Sequence, residues 1–162
     1  ANINMNPDFV VLVNGLIAGL RGDGHDVRVI AGFRSFADQQ ERFERGRLKS
    51  GPIITEAAPG HSWHNYGLAV DIILNDDQGD PAWPEVSSPF WQCLAEAALA
   101  RGAVWGGHFG FPAHIEYHPA LARKDAGSLI EDFECFGLEM VWSRALNPIA
   151  PVDDEETRRS KP

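Results

Sequence analysis

The run Ser62-Trp63-His64-Asn65-Tyr66-Gly67-Leu68-Ala69-Val70-Asp71-Ile72-Ile73-Leu74 decides how this chain is read. From Gly67 to Leu74 it alternates as a strand, with Leu68, Val70, Ile72 and Leu74 on one face and Ala69, Asp71 and Ile73 on the other. That places a carboxylate, Asp71, inside an otherwise apolar strand. His64 stands seven residues before Asp71, and an odd spacing along one strand would put the two on opposite faces. His64 is therefore expected ahead of the strand, on a turn that ends at Gly67, from which both side chains converge.

Working outward, the six histidines are His25, His61, His64, His108, His114 and His118, and all but the first fall in two short segments rich in glycine and aromatics. His114, Glu116 and His118 are spaced by two, so on an extended segment they share a face and can present a nitrogen ligand and a carboxylate to one ion. A catalytic zinc takes three protein ligands and keeps a position open for water. His64, Asp71 and a histidine of the segment His114 to His118 meet that count. Glu116 is then left to take the proton of the attacking water.

The rest of the chain supplies a scaffold. Asn6-Pro7 reads as a helix start, followed by Phe9, Leu12, Val13, Leu16, Ile17 and Leu20 at helical spacing and a stop at Gly22 to Gly24. Asp26 to Gly32 reads as a short strand, and Ser35 as the cap of a second helix running to about Gly46. Residues 47–59 read as loop with a brief strand at Ile53 to Thr55. Ser88-Pro89 opens a third helix whose Trp91, Leu94, Ala95, Ala98 and Leu99 form a buried stripe, closed by Gly102. Two short strands, Ala103 to Trp105 and Ala113 to Tyr117, flank the bend Gly106-Gly107-His108-Phe109-Gly110. The segment from Pro119 to Leu146 is apolar enough to pack as helix. This order of elements implies an α+β fold.

At 162 residues and 44% hydrophobic the chain fits one domain with a core that needs no structural metal. We expect residues 1–146 to form that domain and 147–162, with three prolines and mixed charge, to be a disordered acidic tail. A net charge of −9 argues against nucleic acid or an anionic membrane as partner. The basic stretch Arg42, Arg45, Arg47 and Lys49, interleaved with Glu41 and Glu44, reads as a solvated helix face. Cys93 and Cys135 form no metal or redox motif and read as small buried residues. No secretory signal and no membrane span is legible, and a monomer is expected.

The run from Ser62 to Asp71 resembles the S-x-H-x-x-G-x-A-x-D signature of the zinc D-alanyl-D-alanine carboxypeptidase and L-alanyl-D-glutamate endopeptidase family, whose fold is the hedgehog/DD-peptidase type. Gly32-Phe33-Arg34-Ser35, followed by Gln39 or Gln40 and Gly46-Arg47, is similar to the family's G-[YF]-R-S segment. Trp105-Gly106-Gly107 with His114-Ile115-Glu116 is similar to its closing W-G-G…H-x-E segment. The resemblance spans about residues 28 to 118 and implies a small, mainly antiparallel sheet with helices packed on one side and the metal in a cleft across it. It implies one zinc ion held by His64, Asp71 and His114, and Arg34 as the cation that steadies the tetrahedral intermediate. It also implies Ser62, Gln39 and Trp105 in substrate binding or support of the site.

One departure stands out. The family usually carries its acidic general base three residues before the last histidine ligand, and here Phe111 holds that place before His114, or Ile115 before His118. Glu116 is the first alternative, then His118, then His108. The resemblance implies a peptidoglycan stem peptide as substrate and the periplasm or cell wall as the place of action. The wording of the motifs favours an L-alanyl-D-glutamate endopeptidase. A D-alanyl-D-alanine carboxypeptidase is the second reading, and a zinc-binding module that no longer catalyses, motivated by Phe111, is the third.

Overall fold

A computed structural model describes residues 4–148. The expected disordered tail therefore lies, beyond Pro148, outside the described residues. Helix α1 (Pro7–Gly22) starts with Asn6 as its cap, the Asn6 side chain accepting from the Phe9 amide, and buries Phe9, Val13, Leu16 and Leu20. Strand β1 (Val27–Ala31) follows, then α2 (Phe36–Glu44), whose cap is Ser35. Next come a single 3₁₀ turn over Trp63–Tyr66 and the main strand β2 (Ala69–Asn75). After β3 (Pro81–Ala82) and α3 (Phe90–Leu99), strand β4 (Val104–Trp105) leads through the turn Gly106–Phe109 to β5 (His114–Glu116). A 3₁₀ segment Arg123–Leu129 and helices α4 (Ile130–Phe136) and α5 (Leu138–Leu146) close the described chain.

The sheet is antiparallel throughout, in the order β1-β2-β5-β4, with β3 added beside the far end of β2. Residues directly opposite on neighbouring strands point to the same face. Asp71 faces His114, and Ala69 faces Glu116, so β2 and β5 present these four residues together. The other face carries Val70, Ile72 and Ile115, which join Phe9, Leu16, Leu94 and Ala98 in the core formed with α1 and α3. The register of two strands thus separates a helix-covered apolar face from a chemical one.

Three local expectations are corrected. Ile53 to Thr55 forms no strand; that loop is tied instead by Arg47, which donates to the Phe43 and Thr55 carbonyls and pairs with Glu56 at 2.6 Å. Leu99 is exposed, and Phe90 takes a place in the buried stripe of α3, because at 100° per residue Phe90, Trp91, Leu94, Ala95 and Ala98 share one face and Leu99 falls beyond its edge. Cys93 is half-buried and Cys135 exposed, both free, so neither is the buried small residue expected.

Candidate metal centre

His64, Asp71 and His114 are brought together. The turn over Trp63–Tyr66 ends at Gly67 in the left-handed conformation, φ 65°, which a residue with a side chain adopts only at a cost. The Asn6 amide donates to the Gly67 carbonyl, and a Cβ at this position would stand 1.9 Å from the Asn4 carbonyl oxygen. The turn is thereby pinned to the start of α1, with His64 almost wholly buried beneath it. His64 Nδ1 donates to the Gly32 carbonyl at 2.8 Å, which leaves Nε2 unprotonated and aimed at Asp71 and His114.

The three facing atoms form a tight triangle. Asp71 Oδ1 lies 2.9 Å from His114 Nδ1 and 3.3 Å from His64 Nε2, and the two nitrogens are 3.2 Å apart. Ligands bound to zinc at about 2.0–2.2 Å with tetrahedral angles stand roughly 3.3–3.5 Å from one another. Both the spacing and the donor set, two imidazoles and one carboxylate, therefore fit such an ion. Burial pushes Asp71 toward the neutral form, but its hydrogen bonds with His114 and His64 outweigh this and hold the carboxyl well below the usual range. Burial likewise lowers His64. For His114 burial acts in the same direction, yet its bonds to Asp71 and Glu116 prevail and raise it to about 8.

Glu116 does not occupy the place of a free base. Its Oε1 accepts from His114 Nε2 at 2.9 Å, on the opposite side of the ring from the nitrogen that faces Asp71, and its Oε2 lies 3.1 Å from His118 Nε2. His118 in turn donates through Nδ1 to the Leu121 carbonyl at 2.9 Å and stacks on Trp63 with ring centroids 4.0 Å apart. Burial favours protonated Glu116, but the two histidines outweigh it and bring the carboxyl down to about 2. The result is a buried chain, His114–Glu116–His118, that fixes which nitrogen His114 offers to an ion. Sequence spacing placed the three on one face; it carried no information on which ring nitrogen points where.

The other expected residues divide into two groups. Arg34 lines the cleft in front of Asp71; its amide donates to the His64 carbonyl at 2.9 Å, and its Nη1 to Oε1 of the fully buried Gln39 at 2.9 Å. Burial and the neighbouring Arg42 lower its pKa, with Asp71 opposing. Gln39 is thus the glutamine that supports the site, whereas Gln40 is exposed and bonds Glu44. Ser62 lines the cleft, and its amide donates to Asn65 Oδ1. Trp105 acts from behind, donating to the Pro112 carbonyl at 2.8 Å and so holding the bend that delivers His114. His108 is exposed, packed edge-on against Trp105 and absent from the cleft lining, and His118 is sealed behind Glu116. Phe111, at the usual place of the base, lines the cleft and is half exposed.

Sequence reasoning missed three contributors. Asn65, fully buried, joins the His64 turn to Arg34 by donating to the Arg34 carbonyl at 2.9 Å while accepting from the Gly60 and Ser62 amides. Its position inside the quoted run was the available signal. Arg123 and Lys124 also line the cleft, from a segment with no motif to mark it.

Known proteins resemble this chain in sequence and in fold. The family model for VanY, D-alanyl-D-alanine carboxypeptidase, matches residues 2–103, which include Arg34, His64 and Asp71. The chain is 36% identical over 125 residues to the peptidoglycan L-alanyl-D-glutamate endopeptidase CwlK of Bacillus subtilis (strain 168), covering 72% of this chain and 75% of that protein. Among solved structures, the vancomycin-resistance D,D-pentapeptidase VanY from a VanB-type resistance cassette, crystallised with Zn(II), aligns with TM-score 0.54 at 20% identity over 77% of each chain. The L,D-carboxypeptidase DacB of Streptococcus pneumoniae aligns with TM-score 0.53 at 22% identity, over 91% of this chain and 81% of its own. These two likenesses establish the fold.

Proposed function

Because this chain belongs to the VanY D-alanyl-D-alanine carboxypeptidase family, we propose that it is a zinc-dependent peptidase that hydrolyses the L-alanyl-D-glutamate bond of peptidoglycan stem peptides. The observation that carries the choice of bond is the 36% identity with the Bacillus subtilis endopeptidase. D-alanyl-D-alanine carboxypeptidase activity is the second reading, favoured by the family model itself. The substrate places the reaction in the periplasm or cell wall, and no helix among the described residues is long and apolar enough to cross a membrane.

His64 Nε2, Asp71 and His114 Nδ1 would hold the zinc. When bound, the ion supplies Lewis-acid polarisation of the scissile carbonyl and lowers the pKa of the attacking water. Arg34, kept in place by Gln39, donates to the carbonyl oxygen as that oxygen gains negative charge. Glu116 holds His114 in the tautomer whose Nδ1 is free for the ion. In balance, the carbonyl carbon gains a bond to the water oxygen, its bond to nitrogen breaks, and a proton from water ends on the released amine.

The test is digestion of purified peptidoglycan by the zinc-loaded protein and its His64→Ala variant, with mass spectrometry of the released fragments. Fragments with a new D-glutamate amino terminus, absent with the variant, are the expected result. Free D-alanine in their place moves the assignment to the carboxypeptidase. Tight zinc binding with no fragment from the native protein identifies a binding module that has lost catalysis.

A further inference from the structure

The chain's net charge is −9, yet its cleft is basic. Arg34, Arg42, Arg123 and Lys124, four of the fourteen lysines and arginines, line it. Of its carboxylates, Asp71 faces the two ligand histidines, Glu116 is bound between His114 and His118, and Glu56 is paired with Arg47. The cations thus outnumber the carboxylates left to answer them.

Arg123 is held by its surroundings without donating a side-chain hydrogen bond to any described residue. Its guanidinium carbon lies over the Phe109 ring, 3.6 Å from the centroid, and its nearest carboxylate contact is Nε to Glu116 Oε1 at 3.5 Å, longer than a charge-assisted hydrogen bond. Arg21, Arg28, Arg47, Arg101 and Arg144, by contrast, each donate to a carbonyl or carboxylate within 3.1 Å. The backbone beneath Arg123 is anchored, since the buried Trp63 donates through Nε1 to the Arg123 carbonyl at 3.0 Å and the Ala122 amide donates to Asp125. A half-exposed guanidinium that lines the cleft and rests on an aromatic ring is suited to take a carboxylate. It stands at the Glu116 end of the ligand row, while Arg34 stands at the Asp71 end.

The two bonds considered above share one chemical feature. In the stem peptide, glutamate continues the chain through its γ-carboxyl, so the amine released from an L-alanyl-D-glutamate bond sits on a carbon that also bears a free α-carboxylate. A C-terminal D-alanine released from D-alanyl-D-alanine has the same arrangement. We propose that Arg123, supported by Phe109 and by Lys124 beside it, is a specificity-determining residue that binds the free α-carboxylate of the residue on the leaving side of the scissile bond. This rests on the peptidase reading and divides the labour of the cleft: Arg34 serves the carbonyl oxygen, Arg123 the carboxylate.

The experiment compares two N-acetylated L-alanyl-γ-D-glutamyl-L-lysine peptides, one with the free glutamate α-carboxylate and one with the α-amide, on zinc-loaded native protein, Arg123→Met and Arg123→Lys. The same acid and amide pair is made for D-alanyl-D-alanine. Native protein should prefer the acid; Arg123→Met should raise KM for the acid by about ten- to a hundredfold more than for the amide, and Arg123→Lys should fall between. Equal losses on acid and amide, or no loss, would overturn the proposal, with zinc affinity and thermal melting reporting whether the variants keep the fold. If native protein cuts neither pair, the peptidase reading fails on its own account. Calorimetric binding of the uncut peptides then still decides, an Arg123-dependent preference for the acid supporting the proposal and its absence refuting it.

Discussion

The role of Glu116 turns on what its two oxygens touch. The residue lies two positions from His114, as a base on the same strand face would, but both its oxygens are engaged by imidazole nitrogens at 2.9 and 3.1 Å. A group in that position sets ligand orientation and metal affinity. We therefore expect Glu116→Ala to weaken zinc binding about 10- to 100-fold in a competition titration. Glu116→Gln, whose amide oxygen still accepts from His114, should retain most activity at saturating zinc; a loss of about 10²–10⁴ there would restore Glu116 as the base. Asp71 was legible because a lone carboxylate in an apolar strand needs a reason, and His64 because parity excluded it from the strand. The tautomer of His114 was not legible, since it is decided by contacts that only the folded register creates.

Among elements, the pairing of β2 with β5 does most to build the site, yet β5 spans only His114–Glu116 and reads faintly in sequence. The alternation in each strand was readable separately, because period two is local. Which residue of one meets which of the other was not, because 43 positions separate Asp71 from His114. The turn before β2 is more self-contained. Gly67→Ala would hold a Cβ in the left-handed region, costing roughly 1–2 kcal/mol, and drive it into the Asn4 carbonyl. We expect a melting temperature lower by about 4 °C or more and a weakened zinc affinity, since His64 rides on the same turn. A melt unchanged in both respects would mean that the start of α1 can give way freely at this contact.

For the molecule as a whole, the α+β class and the two faces of β2 followed from patterns along the chain and the antiparallel topology from the family resemblance, whereas the concentration of cations at the cleft followed from neither. Arg34 and Arg123 are 89 residues apart by number and meet the same space only because the 3₁₀ segment after β5 folds back over the ligand row. The cross-strand placement of Asp71 and His114 has a last consequence. Slipping β5 by one residue would set Ile115 against Asp71 and turn both His114 and Glu116 into the helix-covered core, so a slipped chain offers an ion no third ligand. With zinc held as proposed above, the ion would act as a proofreader of folding: only chains that have matched the two strands correctly would retain it, and by mass action it would draw the mismatched ones toward that pairing. Refolding from denaturant with zinc present should accordingly return more native protein than refolding in chelator with zinc supplied afterwards, measured as the fraction that binds one ion per chain. Equal yields would assign the register to the apolar face alone.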